Sequence, residues 1–131
     1  MSGKDLDMYY RSETLTELAK EVLAEHPELE ANNAAIAFME SDKNKTKGKS
    51  SIVYADCHKI PEKEHVLSGY DFIITFYAGS MNMSDQALRI LMYHELLHAG
   101  MAEDGKAYIV PHNLEDFREI IEQYGVDWEL I

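Results

Sequence analysis

The five residues His94-Glu95-Leu96-Leu97-His98 constrain this chain more than any other part of it. On an α-helix, residues four apart lie one turn above each other, so two imidazoles at that spacing share a face. Their Nε2 atoms can converge on one ion at about 2.0–2.1 Å, the distance zinc takes to an imidazole nitrogen. Glu95 lies about 100° further round the helix and can reach a water held by that ion rather than the ion itself. The pattern carries weight only on a real helix, and the flanking residues supply one. Ser84 and Asp85 read as an N-cap with an acidic first turn. Ala87, Leu88, Leu91, Met92, Leu96 and Ala99 recur at the helical period, and Gly100 stands where a C′ residue would close the helix. The expected helix runs from about 85 to 99, with both histidines in its last two turns. The alternative without an ion is a pair of buried, hydrogen-bonded structural histidines.

A catalytic zinc commonly takes three protein ligands and leaves a fourth position to water. The extended pattern H-E-x-x-H-x-x-G-x-x-H would need Gly at 101 and His at 104; the chain has Met101 and Asp104, which excludes that subclass. His112 is the stronger candidate for the third ligand, because the Asp104-Gly105 turn can fold the segment after His98 back toward the histidine helix. Glu115 or Glu119 remains the alternative, from a helix expected to start at Asn113. If His112 is the ligand, Glu115 can serve as the carboxylate that fixes a histidine tautomer. Glu103 and Asp104 read as turn residues.

The rest of the chain describes the scaffold. At 131 residues it can bury one core without disulfides, and its lone cysteine, Cys57, has no internal partner. One domain covering 1–131 is expected. The N-terminal residues show no apolar signal segment, and the longest strongly apolar stretch, Phe72 to Ala78, cannot span a bilayer. A cytoplasmic protein with no membrane partner is the simplest reading. A formal net charge of -12 repels phosphate backbones, so nucleic acid is an unlikely partner. Lys43, Lys45, Lys47 and Lys49 make one local exception, read as a solvated loop in preference to a docking site for an acidic partner.

Ser12 to Glu17 offers overlapping capping residues, and Leu15, Leu18, Ala19, Val22 and Leu23 form one stripe that ends at His26-Pro27. This predicts an amphipathic helix, with His26 structural at its end. Residues 34–40 and 51–55 read as two strands, expected to pair antiparallel across the lysine-rich loop. Asp56-Cys57-His58 lacks paired metal-ligand spacing and reads as a loop or strand end, and His65 as a surface residue in a polar stretch. Residues 69–77 are the strongest strand, apolar enough for both faces to be covered. Ala107 to Val110 can return as a short strand, and Leu114, Phe117, Ile120 and Ile121 give the apolar face of the final helix. The order α-β-β-β-α-(β)-α predicts an α+β fold, three helices packed on a small, mainly antiparallel sheet.

Gly69-Tyr70-Asp71-Phe72, His94-Glu-Leu-Leu-His98, Glu103-Asp104-Gly105-Lys106, His112-Asn-Leu-Glu115-Asp-Phe117, Gly125 and Trp128, in that order, resemble the metallopeptidases encoded by phages and prophages. The likeness runs from the first helix to Trp128. It implies a zincin-like fold, a zinc site and peptidase activity on a peptide or protein substrate. Asn113 stands where Asp is expected, which weakens the case for a supporting carboxylate there and leaves the ligand assignment untouched.

The expected chemistry is peptide-bond hydrolysis by a zinc-activated water. Zn2+ is held by His94, His98 and His112, with Glu95 as general base. Tyr93 and Tyr108 are candidate donors to the oxyanion, and the edge of strand 70–77 or its neighbour can pair with an extended peptide. The alternative is a catalytically silent zincin-like binding protein of the phage type, acting on host machinery. A structural zinc there would more often be closed by a fourth ligand, from Cys57 or His58.

Overall fold

The computed structural model describes residues 8–48 and 51–112, together with Ile120 and Tyr124. Its organising element is strand β6 (Phe72–Phe76). Phe72, Ile74 and Phe76 project to one side and are almost fully buried, as strand alternation requires. So apolar a strand is most stable away from a sheet edge, and β6 has a neighbour on each flank. Strand β2 (Ile36–Ser41) lies parallel to it, with Phe38 opposite Ile74. Strand β5 (Ala55–Lys59) lies antiparallel on its other side, with Cys57 opposite Ile74. Strand β1 (Tyr9–Arg11) pairs antiparallel with β2, giving the order β1-β2-β6-β5.

The expected pairing of 34–40 with 51–55 is therefore wrong. The first segment becomes β2, on one flank of β6; of the second, 51–53 becomes a strand of a separate hairpin and only Ala55 enters β5, on the other flank of β6. The lysine-rich loop forms its own hairpin of β3 (Lys45–Lys47) and β4 (Ser51–Val53). Asp56, Cys57 and His58 are not a loop or strand end; they fill the middle of β5.

Helix α1 (Glu13–Glu25) starts at Ser12, whose Oγ accepts from Leu15 N at 3.0 Å and donates to Glu40 on β2, fastening the helix start to the sheet. Leu15, Ala19 and Val22 are its buried stripe. Helix α3 (Asp85–Leu97) packs beside it, and Arg89 reaches Glu21 and Glu25 on α1 at 2.6 and 2.8 Å. Both helices cover the Phe72 side of the sheet. Ile120 is also fully buried and joins the same core cluster.

The polar stretch 61–68 contains a short helix, α2 (Glu62–Ser68). Pro61 at its start, two early acids and Gly69 at its end explain it; Gly69 has φ +82°, a conformation that costs other residues a steric penalty. His65 Nδ1 donates to the Tyr70 carbonyl at 2.8 Å, closing the turn into β6. A second hairpin, β7 (Ala99–Met101) with β8 (Ala107–Ile109), follows α3. Among the described residues, helices α1, α2 and α3 and a mainly antiparallel set of strands make this an α+β fold, as expected. The expected final helix from Asn113 lies outside the described residues. Among the described residues, no helix is long and apolar enough to cross a membrane.

Candidate metal centre

Helix α3 presents the histidines because its other faces are committed. Ser84 Oγ caps it by accepting from Ala87 N at 3.1 Å, and Ala87, Ile90, Leu91, Met92 and Leu96 are buried. His94 and His98 emerge half-buried at the C-terminal end, with His98 itself the cap residue. Gly100 is not the left-handed terminator its position suggested. It lies in β7, and a Cβ there would come within 2.6 Å of the Tyr108 ring. The glycine is required by close approach across the hairpin.

That hairpin carries the third imidazole. Val110 N donates to the His98 carbonyl at 2.8 Å, and His98 Nδ1 lies 2.7 Å from the Val110 carbonyl. A carbonyl can only accept, so Nδ1 bears the proton, and in the neutral ring this leaves the lone pair on Nε2, the arrangement a metal-ligating histidine needs. Two residues further on, His112 reaches back until its Nε2 is 3.0 Å from that of His94. One ligand atom from each of His94, His98 and His112 lies within 4.8 Å of the others. Two imidazole lone pairs 3.0 Å apart repel unless a proton or a cation stands between them. The donor set suits a divalent ion: three ring nitrogens, with the tautomer of one already fixed by the backbone.

Glu30 holds the hairpin from the other side. Its Oε1 accepts from Met101 N at 2.8 Å and from the Tyr108 hydroxyl at 2.9 Å, one bond to each strand. The hydrogen bond to Glu30 is the main reason the Tyr108 phenol is raised above its usual pKa. Nothing in the sequence announces this latch, since Glu30 and Tyr108 are 78 residues apart.

Glu95 is 3% exposed, and its Oε2 lies 4.0 Å from His94 Nε2. Cys57, on β5, faces the same region: burial first, and then the Glu95 charge, push its thiol pKa well up. A thiol held neutral is a poor metal ligand. His58 projects to the opposite side of the sheet and lines cavities with Ile73. Among the described residues, then, neither Cys57 nor His58 joins the cluster of three histidines. Tyr93 is 3% exposed and stacks on His26 with ring centroids 4.0 Å apart, a core contact that also gives His26 its structural place. Tyr108 spends its hydroxyl proton on Glu30. Asp104 Oδ1 accepts from Lys106 N at 3.0 Å, as a turn residue does. Glu115 and Glu119 lie outside the described residues.

The family model described as "Putative phage metallopeptidase" matches residues 7–131, and the chain belongs to that family. No curated protein and no solved structure matches the chain.

Proposed function

We propose that this protein is a zinc-dependent peptidase with a zincin-like site, in which His94, His98 and His112 hold the ion and Glu95 is the general base. The observation that carries the reading is the convergence of three imidazoles within 4.8 Å at the end of a helix, with a buried carboxylate 4.0 Å from one of them. Membership of a family described as metallopeptidases supports it independently. When bound, zinc supplies Lewis acidity, bringing the pKa of a coordinated water to about 7 and polarising a carbonyl. The Glu95 carboxylate accepts a proton from the attacking water and returns it to the leaving amine. Its burial strengthens that exchange by excluding competing solvent. His98 is held in one tautomer by the Val110 carbonyl, so its Nε2 stays available as a donor.

The substrate in this reading is an extended peptide. Strand β5 is an edge strand of the four-stranded sheet, and Cys57 at its centre lies beside Glu95. A peptide pairing with that edge would run past the buried carboxylate. The β7–β8 hairpin stands opposite, and a cavity of about 390 Å3 between Lys59, Ile60, Lys106 and Ala107 leaves room at one end. Three protein ligands leave a coordination position for water, which favours catalysis over a silent binding role.

Glu95→Gln is the deciding variant. It is expected to keep zinc, measured by elemental analysis, and to lose turnover of a casein substrate by at least about a thousandfold, since it removes the base while leaving the ligands. Full turnover by that variant would refute the mechanism. His98→Ala should lose the ion; stoichiometric zinc in both His94→Ala and His112→Ala would overturn the ligand set.

A further inference from the structure

Strands β5 and β6 are antiparallel neighbours, a pairing commonly joined by about two to five residues. The chain instead builds helix α2 into the connection, which runs from 60 to 71. Helices in proteins are held mainly by an apolar face packed on the core, yet no residue of α2 is buried. Pro61, Gly69 and the bond from His65 to the Tyr70 carbonyl fix its ends. Its apolar side chains face water. Val66 and Leu67, 76% and 81% exposed, are the most exposed large apolar side chains among the described residues. A lone exposed apolar side chain is ordinary; an adjacent pair on a helix that contributes nothing to the core marks a contact face.

The place of α2 decides what meets that face. It begins just past the end of β5, and the cavity between Lys59, Glu62, Lys106 and Ala107 shares Glu62 with a second one, of about 510 Å3, lined by Glu62, Lys63, Val66 and Leu67. One surface therefore continues from the β5 edge across α2 to the apolar pair. The nearer cavity carries Lys59 and Lys106 but also Glu62 and Asp71, so it favours neither charge. From Cys57 to Glu62 is at most about 17 Å of extended chain, and Val66 lies about 6 Å further along the helix. An extended peptide on the β5 edge spans that distance in about seven residues. Size excludes a separate partner as the simplest occupant. A stable protein–protein contact needs about 800 Å2 from each side, far more than two side chains provide. A peptide already paired with β5 needs no such area, because its own chain holds the following residues beside α2.

We propose that Val66 and Leu67 are specificity-determining residues, and that the substrate class is an extended peptide with a large apolar side chain within about seven residues of the cleaved bond. The inference rests on the peptidase reading above. The substrate side chain covers Val66 and Leu67, and all three leave water together. This contact is the same before and during bond breaking, so it acts on KM and leaves kcat nearly unchanged.

The test gives the zinc-loaded full chain a mixed tryptic peptide library, with cleavage sites read by mass spectrometry. Leucine, isoleucine, valine, methionine and phenylalanine should be enriched on one side of the cleaved bond, within that distance of it. The double variant Val66→Ser, Leu67→Ser should abolish the enrichment and raise KM for the best-cleaved peptide at least about tenfold, with kcat within about twofold. Both positions are exposed, and an unchanged circular-dichroism spectrum with retained cobalt uptake would show that the double variant is folded. Cleavage without enrichment, or enrichment that survives in the folded double variant, would overturn this inference and leave the peptidase reading standing. No cleavage at all by the zinc-loaded protein would overturn both. A dimer of the native chain that the double variant dissolves, measured by sedimentation, would give this face to a second copy and overturn the inference.

Discussion

Strand β6 has two faces, and they do different work. Phe72, Ile74 and Phe76 look toward α1 and α3, are at most 1% exposed, and set the height at which α3 delivers its histidines. Ile73 and Thr75 look the other way, onto a cavity lined also by Tyr9, Tyr77, Met39 and the Lys45–Asp56 pair. One face is a foundation whose job is to be rigid; the other is a surface that can vary without moving the metal centre. Alternation along five residues lets a small protein keep these tasks apart.

The sharpest way to break this contrast is to cut adjacent residues on opposite faces. Phe72→Ala should cost about 3–5 kcal/mol in urea unfolding, through lost burial and a residual cavity. Ile73→Ala should cost only about 1 kcal/mol, because that side chain already keeps part of its surface in water. Equal costs would mean that the open face is as structural as the core. Next in size, Gly100→Ala must displace the Tyr108 ring and strain its bond to Glu30, an expected loss of about 1–2 kcal/mol. Cobalt affinity should fall with it, since the same hairpin carries His112. Glu30→Ala should lower stability by about 1 kcal/mol, being an exposed acceptor of two bonds, and should weaken cobalt binding several-fold. Retained affinity would show that the hairpin does not need the latch.

The smallest effect is expected on the open face. Tyr77→Phe removes the hydroxyl's 2.8 Å bond to Asp56, a loss of about 0.5–1.5 kcal/mol at neutral pH. Burial, aided by Asp56, pushes the Tyr77 phenol up to about 12. The unfolded chain then releases that proton first, so the stability tied to Tyr77 is intact below about pH 10 and is lost as pH rises toward 12. Urea midpoints from pH 9 to 12 should fall more steeply for the native protein than for Tyr77→Phe. Parallel curves would remove Tyr77 from the account.

Local structure was legible where local chemistry decides it. Ser12 and Ser84 cap the helices they announce, and the apolar stripes of both helices are the buried ones. The three histidines came together from one motif and one turn. Helix α2 could have been found too, since Pro61, Glu62, Glu64 and Gly69 are start and stop signals that outweighed its lack of an apolar stripe. Strand pairing was not legible. Residues 36–41 and 55–59 are drawn to β6 by a competition among distant apolar surfaces, which no window along the chain displays. Gly100 was misread for the same reason: its constraint is the Tyr108 ring, eight residues away and across a hairpin.

The mutual bonds between His98 and Val110 have a consequence for how an ion is captured. Because backbone and side chain already tie the hairpin to the helix end, the donors are preorganised, and arrival of a cation orders very little further chain. Chelators should therefore strip the ion without unfolding the protein, in contrast to small domains whose folding waits on their metal. The apoprotein would persist as a folded reservoir, ready to reload whenever the cation returns.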